Sequence, residues 1–145
     1  MASEEFFLID RTFIDLAERE VRHGAASIDD IERVVLLVWH AAGIIENGGL
    51  HFFLERGLSL RSTADAYSRL GIEPAAAVFR RILNLFPRQS VPDEVEERML
   101  LADRIFEQNA SLIQRMECEY HATSLLTEKQ LVGWIQVHDD LFARP

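Results

Sequence analysis

The sequence predicts an all-α chain: a single-domain bundle of about six to seven helices over residues 1–145, with one long helix near residues 94–121. Three observations carry that prediction. Apolar residues recur with a 3.6-residue period through most of the chain. The residues that start and stop helices (Ser, Asp, Thr, Gly and Pro) fall at the joints between these periodic stretches. A length of 145 residues is also enough to bury a core without a metal or a disulfide.

The first periodic stretch, residues 4–22, places Phe6, Phe13, Ala17 and Val21 on one side with Ile9 and Leu16 beside them, and "HGAAS" ends it. Ser27, with Asp30 three residues on, reads as the cap of a second helix running to about Ile45. Its later part, "VVLLVW", is apolar on all sides and marks a central buried helix. A strand at residues 34–39 is the competing reading, but the acidic turn Asp29, Asp30 and Glu32 and the continuation "HAAG" favour helix. "LHFFLERG" reads as a short helix closed by Gly57, and Ser62 or Thr63 as the cap of "ADAYSRL", which Gly71 ends. Pro74 opens "PAAAVFRRILNLF" and Pro87 stops it.

After the joint "PRQSVP", Asp93 is the expected cap of the longest helix, residues 94–121, about 40 Å at 1.5 Å per residue. Its inward seam is Val95, Met99, Ala102, Phe106, Asn109, Ile113, Met116 and Tyr120, heptad-like with Asn109 as one polar interruption. Packing within the chain is the favoured role of that seam, and a dimer interface is the alternative. Thr127 is the expected cap of a last helix with Leu131, Trp134, Ile135, His138 and Phe142 inward.

Charge excludes some functions. Acids number 24 against 15 Lys plus Arg, for a net charge of −9, and phosphate neutralisation needs clustered positive charge, so direct nucleic-acid binding is not expected. The excess is uneven: residues 1–32 hold nine acids and three bases, residues 33–92 four and seven, and residues 93–145 eleven and five. No apolar run is long enough for a membrane span, and the acidic start "MASEEFFLID" is unlike a secretory signal, so the expected compartment is the cytoplasm. A single cysteine, Cys118, agrees with a reducing environment.

The sequence carries no phosphate-cradling glycine loop, no GxSxG elbow and no HExxH. Glu117 and Cys118 lie four and three residues before His121 and could share a helical face with it, but two ligands do not make a metal site. His138, on an apolar stripe, reads as a hydrogen-bonded core or interface histidine. Asp139 and Asp140 point about 100° apart and cannot share a substrate. Glu46 and His51 bracket a pair of glycines and could act as acid and base only within a pocket that gathers further polar groups. Neither catalysis nor a cofactor or metal is expected.

"ENGGLHFFLERG" followed by "ADAYSRLGIEPAAAVFRRILNLFP" resembles the bacterial DNA mimic protein 19 family over about residues 31–137. The matching positions are Asn47, Gly48, Gly49, Phe52, Phe53, Leu70, Gly71, Ala75, Ala76, Phe86 and Pro87, in a motif that Glu46 opens. Leu50, His51 and Glu55 stand where that pattern has an aromatic, Gln and Asn. The resemblance implies an all-helical protein, often dimeric, in which some relatives present carboxylates in place of DNA phosphates to a DNA-binding protein. Here such carboxylates would come from the long helix, where Glu96, Asp103 and Glu107 fall within about 40° of one another and Asp93 and Glu117 flank them. A second row, Glu4, Asp15 and Glu18, is interleaved with Arg11, Arg19 and Arg22. The expected function is therefore an acidic protein-binding regulator, with a non-mimic interaction or immunity-type module as the alternative. The motif itself, from Glu46 through Asn47, Gly48 and Gly49 to Phe52 and Phe53, is expected to be a structural turn, with the partner-facing acids elsewhere.

Overall fold

The most apolar stretch of the chain lies inside a helix, as its acidic lead-in predicts. Asp29 caps this helix: its side chain accepts the Glu32 N–H at 2.8 Å while Glu32 accepts the Asp29 N–H at 3.2 Å, a reciprocal capping box. The cap expected at Ser27 is displaced because Ser27 sits in a 3-10 turn and donates its hydroxyl to the Gly24 carbonyl. The computed structural model describes residues 3–142. Among them the helices are α1 (Glu4–His23), α2 (Asp30–Arg56), α3 (Leu60–Arg69), α4 (Glu73–Leu85), α5 (Val95–Gln108), α6 (Ala110–His121), α7 (Ser124–Val137) and α8 (Asp139–Phe142), with no strand.

The fold class agrees with the prediction, but helix boundaries shift in instructive ways. The second helix does not end at Ile45; it continues through Glu46, Asn47 and Gly48, and only Gly49 leaves helical geometry before the same helix resumes to Arg56. The long helix expected at residues 94–121 is two helices. Asn109 breaks it with non-helical dihedrals, and its side-chain amide donates to the Ile105 carbonyl at 2.8 Å. Glu94, not Asp93, caps α5 by accepting the N–H groups of Glu96 and Glu97, and these hydrogen bonds hold its pKa below the usual carboxylate value. Ser59 takes the capping role expected of Ser62 or Thr63. Thr127 caps nothing: it lies one turn inside α7, buried, and donates to the Thr123 carbonyl.

Helix α2 is the hub, with α1, α3 and α5 packed on it; α7 covers α1, and α4 lies between α3 and α6. On α1 the buried positions are Ile9 and Leu16, whereas Val21, expected inward, is 87% exposed. Of the seam on α5 and α6, Ala102, Ile113, Met116 and Tyr120 are buried against the rest of the chain and Met99 and Phe106 partly so, whereas Val95, expected inward, is 48% exposed because it is the first residue of α5 and lies beyond the core. A buried aromatic group joins α3, α4 and α6: Tyr67 stacks on Phe79 at 5.4 Å, and its hydroxyl lies 2.6 Å from that of Tyr120. Trp134 donates its indole N–H to the Ile31 carbonyl and ties α7 to the start of α2. Arg98 on α5 is buried and gives its guanidinium to four carbonyls, those of Leu54, Glu55, Pro92 and Asp93, capping the C-terminal end of α2.

Candidate functional site

The glycine pair makes a kink whose two residues have different tasks. Gly49 has φ 72° and ψ −169°, a region essentially closed to residues with a Cβ. Gly48 is helical, but a Cβ there would lie 2.6 Å from Cβ of Phe52, so only glycine lets the chain fold back this closely. The kink frees the Leu50 N–H, and Glu117 Oε1 accepts it at 3.3 Å. Glu117 therefore lies against the positive end of the resumed helix. One acid of the expected row is thus turned to the corner and is only partly exposed.

The remaining acids stand on or next to α5. Asp93, Glu96 and Glu107 are exposed, and none makes an ion pair among the described residues. Asp103 is exposed too, but its Oδ1 lies 2.7 Å from Nε2 of His51, whose ring also meets the edge of Phe106. The corner and the acid row, expected to be separate, meet through His51 and Glu117. Leu100, 71% exposed, sits on the same stripe of α5 as Glu96, Asp103 and Glu107.

On α1 the second row is less neutralised than the sequence suggests, because Arg19 turns inward to Glu32 at 2.8 Å and leaves Asp15 and Glu18 without it. His138 behaves as expected of a structural histidine, with Nδ1 at 2.8 Å from the Trp134 carbonyl. Burial lowers the pKa of His40, followed in effect by the nearby Arg56, with Glu20 opposing.

A groove of about 400 Å³ opens between the first half of α1, the middle of α2 and the turn from α6 to α7. Phe6, Trp39 and Tyr120 supply aromatic wall, and Asp10, Glu46 and Glu128 supply carboxylates. Trp39 donates its indole N–H to Asp10 Oδ1 at 3.1 Å and meets the edge of Phe6 at 5.4 Å, so wall and carboxylate hold one another. Burial pushes the Tyr120 hydroxyl up to about 12, with its hydrogen bond to Tyr67 opposing and the Glu46 carboxylate adding. Glu46 and His121 line this groove together; His51 does not. Ser124 is also there, but its hydroxyl donates to the His121 carbonyl at 2.9 Å. Among the described residues no three His, Cys, Asp or Glu side chains are placed to hold a metal, and no helix is long and apolar enough to cross a membrane.

A family model described as DMP19-like protein matches residues 26–138, from the turn before α2 to the end of α7. The chain belongs to this family. No curated protein and no solved structure matches it. The matched segment of this DMP19-like chain contains both the kinked corner and the acids Asp93, Glu96, Asp103, Glu107 and Glu117, but not the second row, Glu4, Asp15 and Glu18. It leaves out Phe6 and Asp10, which complete the groove from α1. Sequence reasoning missed the groove residues Asp10, Trp39 and Glu128. The signal was present in part, since Phe6 and Asp10 are four apart and Trp39, Gly43 and Glu46 are four and three apart, one helical face each. What the sequence could not give was that α1 and α2 set those faces side by side.

Proposed function

We propose that this chain is an acidic protein-binding regulator that occupies the nucleic-acid surface of a DNA-binding protein, offering carboxylates where DNA offers phosphates. The observation that carries this reading is the α5 face, where Glu96 and Glu107 are exposed and, among the described residues, no base is paired with them. Along the helix axis Glu96 and Asp103 are separated by about 10 Å, and Asp103 and Glu107 by about 6 Å. Carboxylates held in a row on one rigid helix are what imitation of a row of phosphates requires. Family membership supports a protein-binding role. In this reading the chain is a binding protein of the bacterial cytoplasm and not an enzyme.

A second reading, an interaction module that does not imitate DNA, draws on Leu100. An exposed leucine within the acid stripe suits a mixed apolar and acidic protein interface better than a row of phosphates. Self-association belongs to both readings. Phe7, Ile14 and Val21 are 61%, 46% and 87% exposed at seven-residue spacing along α1, an apolar stripe that a second copy can cover.

The deciding experiment captures the partner on immobilised protein and elutes in parallel with salt and with duplex DNA. Mimicry predicts release by moderate salt and by DNA, and weaker capture by a Glu96→Gln, Glu107→Gln variant that melts like the parent. A partner held equally well in high salt and indifferent to DNA overturns mimicry in favour of the second reading.

A further inference from the structure

The groove between α1, α2 and the α6–α7 turn uses none of the α5 carboxylates and has a chemistry of its own. Its walls are the aromatic rings of Phe6, Trp39 and Tyr120. Its charges are the carboxylates of Asp10, Glu46 and Glu128, none of which makes an ion pair among the described residues. A concave site walled by low-dielectric rings concentrates the field of such charges on whatever enters. An anion is repelled, and a neutral apolar group leaves the carboxylates without a counter-charge. A bare metal ion gains nothing from aromatic walls. An organic cation satisfies both features, because ring faces attract it and carboxylates accept its N–H groups.

Among organic cations the planar guanidinium fits best. It is weakly hydrated, stacks on aromatic rings and offers forked donors to carboxylates, whereas an ammonium group gives up a tighter hydration shell on entry. The site is partly built in advance, since the Trp39 indole N–H fixes one oxygen of Asp10 and leaves the other free. The floor is Ala42 and Gly43, and a Cβ at Gly43 would meet nothing within 4 Å, so the space above it is open. A groove of about 400 Å³ exceeds the needs of one such group and falls in the range of small-ligand sites. We infer that this groove is a binding site for a guanidinium group, held against Phe6 and Trp39 and paired with Asp10, Glu46 and Glu128.

The Trp39 indole N–H is a reporter inside the site. In nitrogen-15-labelled protein its resonance is assigned by its loss in Trp39→Phe, and it is followed at constant ionic strength. The titrants are ethylguanidinium, N-acetylarginine methylamide and the neutral isostere N-ethylurea. Both cations, or one of them, produce a saturable shift and the urea does not. If the arginine derivative binds at least as well as the bare cation, the group arrives on a protein side chain; if only the bare cation binds, it arrives as a small molecule. A Glu46→Gln, Glu128→Gln variant weakens the response at least about tenfold through lost charge-assisted hydrogen bonds. Gly43→Leu fills the floor with a better helix former, keeps the melting temperature and abolishes the response. Glu96→Gln, Glu107→Gln leaves the response intact, so failure of the α5 reading and failure of this one are separable. No saturable shift with either cation, an equal shift with N-ethylurea, or an undiminished response in a folded Gly43→Leu protein overturns the inference.

Discussion

Gly49 and Gly133 are both in or beside helices, yet replacing them with alanine acts in opposite directions. At Gly49 the backbone holds φ 72° and ψ −169°, and a Cβ would lie 3.1 Å from Glu117 Oε1. Alanine there must adopt a conformation that costs about 1–3 kcal/mol, or else straighten the kink and pull Leu50 away from Glu117. At Gly133, inside α7, a Cβ would meet nothing within 4 Å. Alanine there restricts the unfolded chain and should stabilise by roughly 0.5–1 kcal/mol. Chemical denaturation of Gly49→Ala and Gly133→Ala, with midpoints moving down and up respectively, checks both. Equal midpoints would mean that the kink carries no strain. The Asn-Gly-Gly run announced a corner in the sequence, but which residue bends was not legible. Asn47 and both glycines tolerate positive φ, and the choice of Gly49 rests on Phe52 crowding Gly48 and on Glu117, 67 residues away in sequence from Leu50, receiving the freed N–H.

Elements were legible where periodicity decides them and less so where caps decide them. Every amphipathic stretch became a helix, but the caps expected at Ser27, Ser62 and Asp93 moved to Asp29, Ser59 and Glu94. Cap-competent residues stand within three positions of one another at each start, and the one used depends on how the helix must turn to bury its apolar face. Asn109 was visible as a polar break in an apolar seam; that it ends α5 follows from its amide bonding the Ile105 carbonyl instead of a partner across the seam. The stripe of Phe7, Ile14 and Val21 on α1 is an apolar face that the rest of the chain leaves exposed. An antiparallel pair of α1 helices sets Ile14 against its own copy, Phe7 against Val21 of the second copy, and Arg11 against Glu18 of the second copy. Arg11→Glu and Glu18→Arg should each weaken self-association about tenfold or less, in line with exposed charge pairs, and the double variant should restore it. Sedimentation of the four proteins tests this arrangement; a double variant no better than either single variant rules out the pairing.

The whole molecule joins two acid-rich thirds around a more basic middle, and that arrangement sets its response to salt. Arginines of the middle already hold acids of the two ends, as Arg33 does Glu20 and Arg81 does Glu119, while Arg80 sits between Asp65 and Glu73 of the middle itself. The closest pair in character to a core interaction, Arg19 with the buried Glu32, is shielded from solvent ions by its burial. What salt reaches is therefore mainly the unpaired surface acids, in a chain of net charge −9. The charge imbalance was legible from composition; which acids are free was not, since Glu117 and Glu94 are drawn into caps and Asp103 onto His51 only by the fold. Raising ionic strength from 10 to 150 mM shortens the screening length from about 30 to about 8 Å and relieves repulsion among the free acids. Thermal unfolding should then shift upward by about 2–5 °C, corresponding to roughly 1 kcal/mol for a chain of this size. Replacing Glu107, in the last turn of α5, with glutamine should raise stability at low salt and shrink the salt-induced rise, because a member of the repelling set at the negative end of the helix is gone. A melting temperature that falls with salt would mean that exposed ion pairs outweigh the repulsion, and the α5 acids would then not be the unbalanced charges on which the binding reading depends.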